Sequence, residues 1–305
     1  MLQQRGIYVQ DEVKLGKLTF LGGVRYDKAQ GNTLNLGQRV INNDEKASGR
    51  VGAIYNFDSG VAPYISWSTS FQPTNVGSLL NGQPAKPTTG EQIEGGIKYQ
   101  PPGYNLLFTA AGYELRRENV VSVISGPNIP PNTQVQIGEV TSRGFEGSVV
   151  GSPIPGLNIR GQYSYLDNRI TGRGDVNYGR VLANTPMHTA ALWTNYVVQS
   201  GPVAGFGFGG GVRYVHDVYT TDANNLTVPT IGPGQLVLAN KVPSNTTFDA
   251  VVSYDFGMAR PEWKGLSAAI NSQNIFDTKY VSFCTAGGCR WAMGRTVLGT
   301  VTYRW

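Results

Sequence analysis

The last eleven residues, Arg295-Thr-Val-Leu-Gly-Thr-Val-Thr-Tyr-Arg-Trp305, alternate in character and end on an aromatic ring. Val297, Gly299, Val301, Tyr303 and Trp305 share one parity; Thr296, Leu298, Thr300, Thr302 and Arg304 share the other. Successive side chains of a strand point to opposite faces, so the first set forms an apolar face with an aromatic end. The second set is polar apart from Leu298. A sandwich strand can alternate in this way but rarely closes a chain on Trp. A membrane-embedded barrel wall, with lipid on one side and a wet lumen on the other, calls for this pattern.

The composition points the same way. Of 305 residues, 40% are hydrophobic, below the usual soluble average, while Gly reaches 40 and Tyr 16. Gly is costly inside helices and common at turns and tight sheet contacts, which favours an all-β chain. A barrel needs few apolar residues because half of each strand faces water. No run approaches the roughly 18 apolar residues of a membrane helix, so any crossing is made by strands. The start, Met1-Leu-Gln-Gln-Arg-Gly-Ile-Tyr8, has no apolar core of a signal peptide. Export information was removed, or the chain is part of something longer. The net charge of +5 comes without a Lys/Arg cluster, which argues against nucleic acid as a partner.

Thirteen stretches read as strands: 5–15, 18–28, 47–57, 61–71, 90–100, 104–117, 137–150, 156–168, 187–198, 205–217, 246–256, 265–275 and 291–305. Short connections fall at 15–17, 58–60, 101–103, 152–156, 199–204 and 257–264. Long ones fall at 29–46, 72–89, 118–136, 169–186, 218–245 and 276–290. Short and long alternate throughout, as in an antiparallel up-and-down barrel with tight turns on one side and long loops on the other. Leu157, Ile159, Gly161, Tyr163 and Tyr165 oppose Asn158, Arg160, Gln162 and Ser164, and Ile93, Ile97 and Tyr99 oppose Gln92, Glu94 and Lys98. Leu21 breaks the pattern in 18–28, and 104–117 is ambiguous in parity. Tyr26, Tyr64, Tyr99, Tyr196, Tyr303 and Trp305 are expected at the headgroup level as aromatic girdles. No helical stretch and no domain boundary are expected.

Six motifs in order then spell a resemblance. They are Gly6-Ile-Tyr8-Val-Gln10-Asp11 with Gly23-Val-Arg25-Tyr26-Asp27; Tyr64-Ile-Ser-Trp67-Ser-Thr-Ser70-Phe71-Gln72-Pro73; Thr89-Gly90-Glu91-Gln-Ile-Glu94-Gly-Gly96-Ile-Lys98-Tyr99; Arg143-Gly144-Phe145-Glu146; Pro186 with Leu192-Trp193 and Tyr196; and Asn274-Ile275-Phe276-Asp277 with Tyr280. Over essentially its whole length the chain resembles TonB-dependent outer-membrane receptors, above all those for ferric hydroxamate (ferrichrome-type) siderophores. The resemblance implies a transmembrane barrel of about 22 strands around a plug. Residues 1–305 would then be the C-terminal part of the barrel, with the plug, the TonB-binding segment and roughly nine strands absent. It implies a ferric siderophore as transported ligand, the TonB–ExbB–ExbD system as partner through that N-terminal region, and residence in the Gram-negative outer membrane among lipid and lipopolysaccharide. No resident cofactor and no enzymatic chemistry are expected. The alternatives are a passive porin-like channel, a receptor for another TonB-dependent substrate, or a non-transport adhesin or structural barrel.

Cys284 and Cys289 are the only cysteines and fall in the last long connection, where the hydroxamate receptors also carry two nearby Cys. An oxidising compartment makes a disulfide the leading expectation over free thiols. A metal site would want more ligands, and no His or carboxylate lies between or beside them. His188 and His216, 28 positions apart, read as strand polar residues. Gly205-Phe-Gly-Phe-Gly-Gly-Gly211 lacks the Lys-Ser/Thr of a phosphate loop and reads instead as close strand contacts beside lipid-facing rings. A bulky, partly apolar iron complex is best gripped by aromatics in a concave site, for which Phe71, Tyr178, Tyr219, Tyr280, Phe283 and Trp291 are candidates. Glu94, Lys98, Glu146 and Arg160 would face the plug from the lumen wall. Val301, Tyr303 and Trp305 resemble the terminal assembly signal of outer-membrane barrels.

Overall fold

The computed structural model of the protein describes residues 2–35, 38–74, 79, 84–124, 133–175, 177–220, 241–285 and 288–305. Thirteen strands form one antiparallel sheet: β1 (Leu2–Leu15), β2 (Leu18–Asn35), β3 (Gln38–Tyr55), β4 (Val61–Gln72), β5 (Thr88–Tyr99), β6 (Asn105–Ile124), β7 (Thr133–Ser152), β8 (Leu157–Ile170), β9 (His188–Val197), β10 (Phe206–Val215), β13 (Asn245–Asp255), β14 (Leu266–Gln273) and β17 (Thr296–Tyr303). Each strand pairs with the next, and β1 and β17 are the two edges. Two small hairpins stand outside the sheet, β11 (Val218–Tyr219) with β12 (Lys241–Val242) and β15 (Val281–Thr285) with β16 (Gly288–Trp291).

Register carries the alternation across the whole sheet. One face runs through the pairs Val51↔Trp67, Trp67↔Ile93, Tyr99↔Phe108, Gly147↔Tyr163, Leu192↔Val212, Phe208↔Val252, Val252↔Ile270 and Ala268↔Val301. Paired residues in an antiparallel ladder point to one side, so this face is continuously apolar. It is also open: Ile93, Val252, Ile270 and Val301 are all exposed. The ambiguous segment resolves within this register. Phe108, Ala110 and Gly112 join the apolar face, and Thr109, Ala111 and Tyr113 the other. Leu21 lies opposite Gly52 on the polar face.

Four expectations change. The connections 29–46 and 118–136 are largely strand, since β2 and β3 stay paired out to Asn35↔Gln38, and β6 and β7 to Ile124↔Thr133. The ladder there is held by polar pairs such as Lys28–Glu45 (3.1 Å), which leave no period-two mark. The long connections near the chain's end likewise hold β11, β12, β15 and β16. The stretch 257–264 is not free of helix: α1 (Phe256–Ala259) and a 3-10 turn (Pro261–Trp263) fill it. Asp255 caps α1 by accepting from the Gly257 N–H at 3.0 Å. Tyr64 is no girdle residue. It pairs with Gly96 and Ile54 on the polar face, whereas Tyr26, Tyr99, Tyr196 and Tyr303 do lie on the apolar face.

Tight turns gather at one end. Gly16, with φ +64°, makes the two-residue turn between β1 and β2, a conformation that costs a side-chain-bearing residue strain. Lys17 beside it bonds Asp58 of the next turn, which raises the lysine's pKa.

Candidate functional site

The polar face is assembled from rings laid over glycines. The Tyr64 ring covers Gly96, where a Cβ would sit 2.7 Å from the ring. Tyr113 covers Gly144 and Trp193 covers Gly211, each leaving 2.5 Å for such an atom. Only the glycine of the neighbouring strand lets a ring lie this flat. Tyr64 in this position donates to Glu94 Oε1 at 2.7 Å, and Gln92 donates to Glu94 Oε2 at 3.0 Å. Lys98 Nζ stands 5.4 Å from the Tyr64 ring centre. Ala111↔Glu146 and Val150↔Arg160 put the last two expected wall charges on the same side. Glu94, Lys98, Glu146 and Arg160 therefore share the polar face. Tyr64 and Tyr113 were missed as members of this set, although the parity of Tyr64-Ile-Ser-Trp67 does separate Tyr64 from Trp67.

The Asn274-Ile-Phe-Asp277 motif is a turn stitched to that wall. Asn274, at φ +51°, bonds Thr278 twice at 2.9 Å, and its own N–H donates to Asp249. Asp249 in turn takes a two-pronged bond from Arg213, both arms 2.9 Å. Asp277 accepts from the Arg295 N–H at 2.8 Å and so aims the closing strand.

At the end opposite the tight turns, the strand ends and the long connections build two small cores. Ile137, Val140 and Ile170 are buried together with Val120 and Leu182 against them. A second cluster holds Val218, Val242 and Cys284. Cys284 and Cys289 face each other across β15 and β16 and are joined as a disulfide. Of the six aromatic candidates, four belong to these last connections. Lys241 sits over the Tyr219 ring at 4.6 Å, Arg290 over Phe283 at 5.7 Å, and Trp291 pairs with Val281 while the Tyr280 carbonyl accepts from Ala292. Tyr178 is exposed in the connection after β8. Phe71 stands apart, on the apolar face in line with Trp67. Asp217 holds Lys241 at 2.7 Å and raises its pKa above the ordinary lysine value.

His188 and His216 do come together, with ring centres 5.2 Å apart, and Tyr163 Oη lies 2.9 Å from His188 Nδ1. They lie at the far end of the β9–β10 hairpin, where the His216 N–H donates to the His188 carbonyl at 2.9 Å, a meeting that the up-and-down order of these two strands implies. Phe206 and Phe208 lie on the apolar face while Gly207, Gly209 and Gly211 face the polar side beneath Asn195 and Trp193, so the Gly-Phe run is a strand contact.

A family model for the TonB-dependent receptor-like β-barrel matches residues 2–275. The chain belongs to the TonB-dependent receptor family. It is 32% identical over 305 residues to the ferrioxamine B receptor of Salmonella typhimurium, covering 99% of this chain and 40% of that protein. It is 34% identical over 307 residues to the ferrichrome outer membrane transporter/phage receptor of Escherichia coli, covering 99% and 38%. The chain thus spans about two fifths of the length of these relatives. Among solved structures, the siderophore receptor PiuA of Acinetobacter baumannii shares the fold, with a TM-score of 0.78, 23% identity and coverage of 100% of this chain and 43% of that one. Membership makes the apolar face the lipid side of a Gram-negative outer-membrane barrel and the polar face its lumen wall. The thirteen strands leave that wall open between β1 and β17.

Proposed function

We propose that this chain is barrel wall and extracellular rim of a receptor that takes up a ferric hydroxamate siderophore, energised by the TonB–ExbB–ExbD system. The observation carrying this reading is the likeness, along nearly all of the chain, to a ferrioxamine B receptor and a ferrichrome transporter. The work is binding and gated passage, with no covalent step; the iron complex is cargo rather than a resident cofactor. Tyr219, Tyr280, Phe283 and Trp291, and Tyr178 in the connection after β8, supply aromatic surface at the rim for a bulky, partly apolar complex. At the wall, Glu94, Lys98, Glu146 and Arg160 supply the charges that meet a plug in the lumen. The phenol of Tyr64 holds the Glu94 carboxylate in one orientation, so a cation on the plug finds it preorganised.

The test is growth. The full-length protein, expressed in a Gram-negative host lacking its own hydroxamate receptors, should support growth on ferrichrome or ferrioxamine B under iron limitation, and only with TonB present. Growth independent of TonB would indicate a passive channel. Absence of both binding and growth with either complex would remove the hydroxamate reading.

A further inference from the structure

Asn184 lies in the connection after β8, with a left-handed backbone at φ +52°. Its own N–H donates to the Tyr219 carbonyl at 2.8 Å, reaching the connection after β10. Its side chain reaches the connection after β14: Nδ2 donates to the Cys284 carbonyl at 3.0 Å, and Oδ1 accepts from the Cys284 N–H at 3.4 Å. Asn184 and Cys284 are 100 positions apart. The carboxamide thus satisfies both backbone groups of Cys284, a residue only 2% exposed. Behind this contact Val218 and Val242 pack on Cys284, with Val281 and Cys289 at the margin. Three connections that local sequence leaves independent are therefore joined at one amide and one apolar contact.

We propose that Asn184 is a positioning residue that clasps these three connections into a single body, so that Tyr219 and Phe283 are presented to the ligand at a fixed separation. Its role in ligand binding rests on the uptake reading above; its clasping does not. The backbone supplies half of the clasp and the amide the other half. Asn is suited to both, since it tolerates the left-handed conformation and carries a donor and an acceptor on one planar group. The disulfide keeps β15 and β16 together, so the amide grips a hairpin rather than a loose strand.

The experiment uses the full-length protein in detergent micelles, checked for normal outer-membrane abundance. The rate at which dithiothreitol opens the Cys284–Cys289 bond is read by mass after alkylation, without ligand. Asn184→Ala should speed this opening about tenfold, as expected for losing two hydrogen bonds that shield a buried sulfur. Asn184→Gly keeps the left-handed backbone but lacks the amide and should behave like the alanine variant. Asn184→Asp keeps the acceptor alone and should fall between. Dissociation of the ferrioxamine B iron complex, followed by tryptophan fluorescence, should quicken in the same order. Opening rates within twofold of the unaltered protein, or an Asn184→Gly variant that matches it, would overturn the clasp. Faster opening with unchanged ligand release would overturn the positioning role. Failure of the unaltered protein to bind the complex would count against the uptake reading alone, because the opening rates are measured without ligand.

Discussion

At the tight-turn end of the sheet, strands are joined by as little as Gly16-Lys17, and the side chains above those turns project apolar groups outward with no protein over them. At the opposite rim, both buried hydrophobic clusters described in the chain are found, one where the ends of β6, β7 and β8 meet Leu182 and one joining the connections after β10 and β14. The difference follows from the solvent each part meets. Strands in the wall need no apolar core, because lipid accepts their outward side chains and the ladder satisfies their backbone. Connections that leave the membrane meet water and must bury apolar groups against each other to hold a shape. A wall residue that looks exposed, such as Ile270, is buried in use; a rim residue such as Ile170 is buried by its own chain.

The largest effect that sharpens this contrast is expected at the rim. Ile170→Ala should cost about 4 kcal/mol locally, as for a fully buried aliphatic truncated in place. Hydrogen exchange should quicken at the Gly179 and Leu182 amides, which bond Ile170 and Asn168, and stay unchanged in the β13–β14 ladder. Equal loss in both places would erase the distinction between rim and wall. In the wall, Ile270→Arg should cost about 3 kcal/mol of folding in lipid, while Ala269→Arg, one residue away on the lumen side, should cost under about 1. Folding titrations into vesicles would read both, and equal costs would mean that the faces are assigned wrongly. A smaller effect is expected for Cys284→Ser with Cys289→Ser, roughly 2 kcal/mol of rim stability for so short a ring. Protease cleavage in the last connection should rise while barrel assembly is retained.

The smallest effect concerns pH. Asp217 raises the Lys241 pKa in the folded rim above its ordinary 10.5. A raised folded pKa favours the folded state at every pH below the ordinary value, and the gain is lost as pH climbs through the raised one. The contribution should be under about 1 kcal/mol, since the lysine is partly solvated. Lys241→Met should lower rim protection by that small amount throughout the range below pH 10.5 and abolish the further loss above it. A drop centred near neutrality would assign the effect to another group.

Much of the wall was legible in the chain because each strand reports its two environments residue by residue. The closing strand shows this most plainly: Val297, Val301 and Tyr303 lie on the lipid face and Thr300 and Thr302 on the lumen side, as their parity says. Tyr64 was misassigned because an aromatic near a strand end suits either a girdle or a lumen. The choice was made by Gly96 across the ladder, whose missing side chain makes room for the ring, and by Glu94, which takes its proton donor. Phe71 shares its parity with Trp67, so its place on the apolar face was visible in the sequence.

The thirteen strands of the sheet, their up-and-down order and their two faces were determined by the sequence alone, since a period of two is a local property of each strand that its two environments enforce. Tertiary structure alone decided how the rim is put together. Asn184 and Cys284 meet because the sheet carries the ends of separate hairpins to neighbouring places, and no local pattern records a contact between residues 100 positions apart.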